Sequence, residues 1–177
     1  MDSENNFDIR TLGEAKIPSP IHLSTMTGDR LYKFIEEKDR ILVDISLKDF
    51  NNCVENDEQP ACMEIAGPRG QLFFDPANTT AAIVTCGGLC PGINNVIRSL
   101  VMALHYFYGI KRIMGIPYGY EGLVPAYGHG FRELTPDKVK DIHEFGGTVL
   151  GSSRGQQSVP EMVDTLVKNK IDVLFAV

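Results

Sequence analysis

Gly87 and Gly88 stand between a short apolar run and an amphipathic pattern. Two glycines at such a junction carry no side chain that would keep a phosphate away from backbone N–H groups. The run Ala81 to Thr85 reads as a buried strand. After the turn, Ile93, Val96, Ile97, Leu100, Val101 and Leu104 recur at helical spacing and predict one apolar face on a helix over 92–108. Pro91 can open that helix without wasting a donor, and a helix N-terminus favours an anion. The stretch is therefore predicted to cradle a nucleotide phosphate, although glycine here also serves tight packing alone and the two uses look alike in sequence. Neither G-x-G-x-x-G nor a Lys-Ser/Thr pair after the glycines is present, which sets the cradle apart from dinucleotide folds and P-loops.

Two further groups could meet that cradle. Gly119-Tyr120-Glu121-Gly122 offers an aromatic ring between glycines, and Ser152-Ser153-Arg154-Gly155 offers hydroxyls and a guanidinium able to grip a phosphate bidentately. A surface arginine at a turn, or a tyrosine covering a sheet end, would give the same letters. Cys86 and Cys90 flank the glycines and read as small apolar packing; no metal is assigned to them. His22, His105, His129 and His143 lack a metal-ligand partner at helical spacing and receive no catalytic role.

The elements that must position these residues alternate. After the strand and helix already named come a strand over 112–117, a long glycine-containing loop, a helix over 136–145, a short strand over 148–151, a helix over 159–169 and a strand over 171–177. This order implies an α/β fold, a parallel sheet with helices on both faces and right-handed crossovers. Ligands of such sheets lie beyond the carboxyl ends of the strands, where the loops after Thr85, Pro117 and Gly151 should converge. Thr135-Pro136 gives an N-cap and first helical turn, Gly146 a stop, and Ser158-x-x-Glu161 a capping box. Residues 1–80 are expected to be an N-terminal extension. It holds an irregular arm over 1–30, a short helix over Leu31 to Glu37, a strand over Arg40 to Ile45 and a polar break over Asn51 to Pro60. Residues 81–177 are expected to begin the main α/β domain.

The chain has 177 residues, 43% of them hydrophobic, enough for one sizeable core. Its formal charge of −6 lies in the leader: residues 1–80 carry 8 Lys+Arg against 15 Asp+Glu, and residues 81–177 carry 9 against 8. With no basic stripe to neutralise a phosphate backbone, nucleic acid is excluded as a partner, and the phosphates expected are small ones. No apolar run is long enough to span a membrane, so no membrane partner is expected. The four cysteines show no C-x-x-C spacing and no secretory segment precedes them, which points to a reduced, cytoplasmic setting.

Thr85-Cys-Gly-Gly-Leu-Cys-Pro-Gly-Ile-Asn-Asn-Val-Ile-Arg98 resembles the opening nucleotide loop of the 6-phosphofructokinases, particularly the long plant and kinetoplastid type. Lys111 to Ile116, Gly119 to Gly122, Ile142 to Gly155 and Ile171 to Val177 resemble successive elements of that family in order, and Ala66 to Arg69 and Phe73 to Pro76 resemble its lead-in. The likeness spans about residues 66 to 177.

That resemblance implies a phosphofructokinase-like, Rossmann-like fold and transfer of a γ-phosphoryl group to the 1-hydroxyl of fructose 6-phosphate, with Mg²⁺ and a homo-oligomer. It places Gly87, Gly88, Tyr120, Arg154 and Gly155 around the donor, ATP in the first reading and pyrophosphate in the second. A non-catalytic nucleotide-binding module is the third reading. The apolar run Val173 to Val177 reads as a central strand and closes the sequence. The expectation is thus of an N-terminal piece that stops before the family's glycine-aspartate loop, lacks the catalytic aspartate, and is inactive alone.

Overall fold

In the computed structural model of the protein, which describes residues 11–24, 26, 33–88 and 90–177, the chain divides at Phe73/Phe74 into two compact units. The first is built of short pieces. Strand β1 (Ile17–Pro18) pairs antiparallel with β4 (Gln71–Leu72), and β2 (Arg40–Leu42) pairs antiparallel with β3 (Cys62–Glu64). Of the helix expected over Leu31 to Glu37, the first two residues lie outside the described ones, and Lys33 to Glu36 are not helical. The N–H of Ile35 goes instead to the Pro68 carbonyl at 2.9 Å, and that of Glu36 to the Asp39 carboxylate at 2.8 Å. Conversely, the polar stretch expected to break structure starts inside α1 (Leu47–Glu55), whose first turn is capped by the Ser46 hydroxyl accepting from the Asp49 N–H. Arg69 ties this unit together, donating to the Ile65 carbonyl at 2.9 Å and the Glu36 carbonyl at 3.3 Å.

The second unit grows from β5 (Thr80–Val84), all five of whose residues are buried. Small and β-branched residues suit a strand that is covered on both faces. The helix that follows, α2 (Ile93–Met102), starts at the left-handed Gly92, so Pro91 lies in the turn before the helix rather than at its first position. Its buried face is Ile93, Asn94, Ile97 and Val101. Val96, expected in the core, sits about 100° round the helix from Ile97 and is 44% exposed. The last turn, Ala103–Phe107, widens to a π-helix, with the Tyr108 N–H reaching back five residues to Ala103.

Strand β6 (Arg112–Ile116) is followed by two 3-10 turns, Gly119–Leu123 and Pro125–Tyr127. Then comes β7 (Arg132–Glu133), a strand of two exposed residues that shows no periodicity in sequence. The helix expected over 136–145 is broken. Helix α3 is only Pro136–Val139, capped by Thr135, and a 3-10 turn Ile142–Glu144 follows. The carbonyl of Lys140, which a continuing helix would use, accepts instead from Arg98 Nε at 3.0 Å. The strand expected over 148–151 is absent; its place is taken by a turn closed by the Gly151 N–H to the Thr148 carbonyl. Helix α4 (Val159–Lys168) forms as expected, but the Ser158 side chain makes no capping hydrogen bond. Strand β8 (Val173–Ala176) closes the series.

The sheet order is β7-β6-β5-β8, with β5 parallel to both β6 and β8, and β7 antiparallel to β6. Alternation along β5 separates two cores. Ala81 and Ile83 pack with Ile97, Val101, Ile113, Val139 and Leu150 on one face, while Ala82 and Val84 pack with Ile116 and Leu123, and with Met162 and Leu166 of α4, on the other. The register, Val84 opposite both Ile116 and Ala176, brings the ends of three parallel strands level, so their following segments leave from one edge. Among the described residues no helix is long and apolar enough to cross a membrane.

The backbone after β6 tolerates no side chain at residue 122, because a Cβ there would lie 2.1 Å from the Pro117 carbonyl oxygen and 2.7 Å from Ile116 Cγ2. Gly122→Ala is expected to destabilise the second unit by about 1–3 kcal/mol, the scale for forcing an extra carbon into a packed site. Urea denaturation checks it, and an unchanged midpoint would show that the turn has slack.

Candidate functional site

At the level edge of the sheet lies a cavity of about 750 Å³ lined by Cys86 to Gly88, Tyr120 and Ser152 to Gly155. All five residues singled out by sequence, Gly87, Gly88, Tyr120, Arg154 and Gly155, meet here, although they come from three separate loops. The volume falls within the range of small-molecule sites. Its lining carries one formal positive charge, Arg154, and no carboxylate, which favours an anion.

The two glycines differ. A Cβ on Gly87 would come within 3.7 Å of the Val177 oxygen, and that oxygen already accepts the N–H groups of Cys86 and Gly87 at 2.8 and 3.2 Å. Gly88 has open space where a Cβ would be, and its φ is not in the left-handed region. Neither packing nor conformation calls for glycine there. What its bareness provides is backbone accessible from the cavity, the property a phosphate needs. Gly155, at φ +108°, is required by conformation instead. Arg154 is exposed and, among the described residues, has neither a hydrogen-bond nor an ion-pair partner.

Three segments close on one another behind the lining. A Cβ on Gly119 would stand 3.1 Å from the Ser153 nitrogen and 3.3 Å from the Thr85 carbonyl oxygen, so only glycine lets them approach. Tyr118, a left-handed residue at φ 57°, lays its ring over Gly151 and against His129, ring centres 4.6 Å apart. Two residues that sequence reasoning passed over hold the arrangement. Thr85 and Asn94 are both about 2% exposed, and both hydrogen-bond to the segment leading into Ser152. The available signal for Asn94 was its phase, since it shares the buried face of α2 with Ile97 and Val101.

Cys86 and Cys90 are unpaired, the first half-buried in the lining and the second exposed. Among the described residues no group of three His, Cys, Asp or Glu side chains could hold a metal ion. The side-chain oxygens of the lining are the Ser152 and Ser153 hydroxyls and the Tyr120 phenol, with no carboxylate, so these residues do not compose a Mg²⁺ site, and no step below is routed through that ion.

A phosphofructokinase family model matches residues 80–177, more than half of the chain. The chain belongs to the phosphofructokinase family. It is 45% identical over 173 residues to the ATP-dependent 6-phosphofructokinase of Amycolatopsis methanolica, a match covering 98% of this chain and 38% of that protein. With the Trypanosoma cruzi enzyme of the same description it is 48% identical over 118 residues, 67% of this chain and 24% of that one. Identity with ATP-dependent 6-phosphofructokinase 1 of Arabidopsis thaliana is 45% over 112 residues, 63% and 23%. The chain thus spans less than half the length of the curated relatives it matches. The bacterial match reaches through the first unit, well before residue 66, where the sequence resemblance was expected to begin.

Tyr120 supplies a probe of the lining. Its phenol is raised above its ordinary value, first by the hydrogen bond with the Cys86 thiol, then by charge repulsion from that group and by partial burial. An upward shift means that the folded chain holds the proton more tightly than the unfolded chain. This contribution to stability is complete below pH 10.0, the phenol's ordinary value, and is lost as pH rises through the folded value. Phenolate absorbance, read as the difference between the parent protein and Tyr120→Phe, is expected to titrate with a midpoint above 10.0, and Cys86→Ala to lower it. A parent midpoint at or below 10.0 would refute the pairing.

Proposed function

We propose that this chain carries the donor side of an ATP-dependent 6-phosphofructokinase, which transfers the γ-phosphoryl group of ATP to fructose 6-phosphate. The observation that carries the reading is the Arg154 guanidinium, without a partner among the described residues, on the same cavity as the bare backbone of Gly88. Phosphoryl transfer spreads negative charge over the moving group, and catalysis consists largely of positioning and charge stabilisation. Arg154 supplies the fixed positive charge, Gly88 the close backbone approach, Ser152 and Ser153 hydroxyl donors, and Tyr120 an aromatic wall. No lining residue is a carboxylate or histidine, so the base that takes the sugar hydroxyl proton is assigned to none of them.

ATP is favoured over pyrophosphate as donor because the relatives at 42–48% identity are described as ATP-dependent enzymes. The same descriptions favour an enzyme over a nucleotide-sensing module. Mg²⁺ would arrive with the donor phosphates. Unpaired cysteines agree with a reducing, cytoplasmic setting, and the family likeness supports a homo-oligomer.

In the natural-length protein, Arg154→Ala is expected to cost about 2–4 kcal/mol of transition-state stabilisation with ATP varied, the scale for losing one preorganised charge-stabilising group. Steady-state kinetics with ATP and with pyrophosphate check both halves. Unchanged turnover and ATP affinity would remove Arg154 from the site, and faster turnover with pyrophosphate would reverse the donor.

A further inference from the structure

The segment Phe145 to Gly151, which delivers Ser152 to Gly155 to the cavity, belongs to no strand, yet its backbone is held by side chains from three other places. Asn94 on α2 donates from Nδ2 to the Phe145 carbonyl at 2.9 Å and accepts the Val149 N–H at 2.9 Å. Arg132 on β7 donates to the Val149 carbonyl at 2.9 Å. Thr85, one residue past β5, donates to the Gly151 carbonyl at 2.7 Å and lies 3.1 Å from the Thr148 hydroxyl. The direction of that last contact follows from proton counting. A carbonyl cannot donate, so the single Thr85 hydroxyl proton goes to Gly151 and Thr148 donates to Thr85.

This relay joins the two walls of the cavity. Thr85 immediately precedes Cys86 to Gly88, and Gly151 immediately precedes Ser152 to Gly155. One hydrogen bond of 2.7 Å, from the buried Thr85 hydroxyl to the half-buried Gly151, therefore links the glycine wall to the arginine wall and sets their separation. We propose that Thr85, with Asn94 behind it, is a positioning residue for the donor phosphates: it touches no ligand and acts by placing Arg154 opposite Gly88. The inference rests on the donor-site reading above.

Removing Asn94 would leave a buried cavity and two unpaired backbone groups, so the test uses Thr85, where valine keeps the shape and loses only the hydroxyl. In the natural-length protein, Thr85→Val is expected to raise the Kd for ATP about fivefold to tenfold, the equivalent of one buried hydrogen bond, and Thr85→Ser to restore it to within about twofold. In an Arg154→Ala background, Thr85→Val should add less than about twofold, since the group it positions is gone. ATP titration calorimetry on the four variants reads this directly. A fully additive effect of Thr85→Val on Arg154→Ala, or a serine variant as impaired as the valine one, would mean general destabilisation and overturn the inference. If Arg154→Ala weakens ATP binding and Thr85→Val does not, the positioning role alone falls. If Arg154→Ala leaves ATP binding unchanged the inference falls, and if turnover is unchanged as well the donor site itself is wrong.

Discussion

Strand β5 has no free side. Both faces of Thr80–Val84 are covered and both edges are hydrogen-bonded, to β6 and to β8. Five residues with three alanines or threonines among them leave room for helices to approach closely, and their own side chains fill little of the interior. The larger side chains that do fill it, Ile97, Ile113, Ile116, Leu123 and Leu150, therefore come from α2, β6, the 3-10 turn after β6 and the segment before Ser152. The carboxyl end of β5 is held by that packing. Thr85 and the cradle after it are attached to the best-buried part of the molecule, so the glycine wall of the cavity is the fixed wall.

The opposite wall is held differently. Ser152 to Gly155 follow a segment with almost no ladder bonds, and its place is set by polar side chains, two of which, Thr85 and Asn94, are themselves buried. Buried hydrogen bonds of this kind are directional where apolar packing is not, so they fix the wall's position rather than merely its burial. Glycine works with them: Gly119 lets its own backbone meet those of Ser153 and Thr85, and Gly151 leaves room for the Tyr118 ring. The outcome is a cavity with one cationic side chain and bare backbone facing it, a combination whose charge and N–H donors suit an anion.

Most of the α/β framework was legible because strands and helices here keep clean periods. Ala81 to Thr85, 112–117 and 159–169 were placed to within two residues, and all five candidate residues stood in glycine-containing segments that meet at one cavity. Two failures in the second unit share a cause. Thr148 to Gly151 has strand-like letters, but Asn94, Arg132 and Thr85 use up its backbone groups. Helix 136–145 stops early because Arg98 takes the Lys140 carbonyl. In each case a distant polar side chain outbid the local pattern, and a window of neighbouring residues contains no trace of it. Val96 was different: an apolar residue on the wrong phase of α2, where angle and not residue type decides burial.

The pairing of β5 with β8 carries a consequence for how the molecule assembles. Thr80 and Asp172, bonded at 2.8 Å, are 92 residues apart in sequence, whereas β5 and β6 are joined by a single helix. Closing the longer loop costs more chain entropy, and such contacts form late. On the ribosome β5 and β6 can pair while β8 is still unmade, leaving the other edge of β5 open until Val173–Ala176 emerges. For that interval a fully buried strand of the finished fold shows a free edge, which makes the time between the synthesis of β5 and that of β8 the period when a chaperone, or a wrong strand, has access to it.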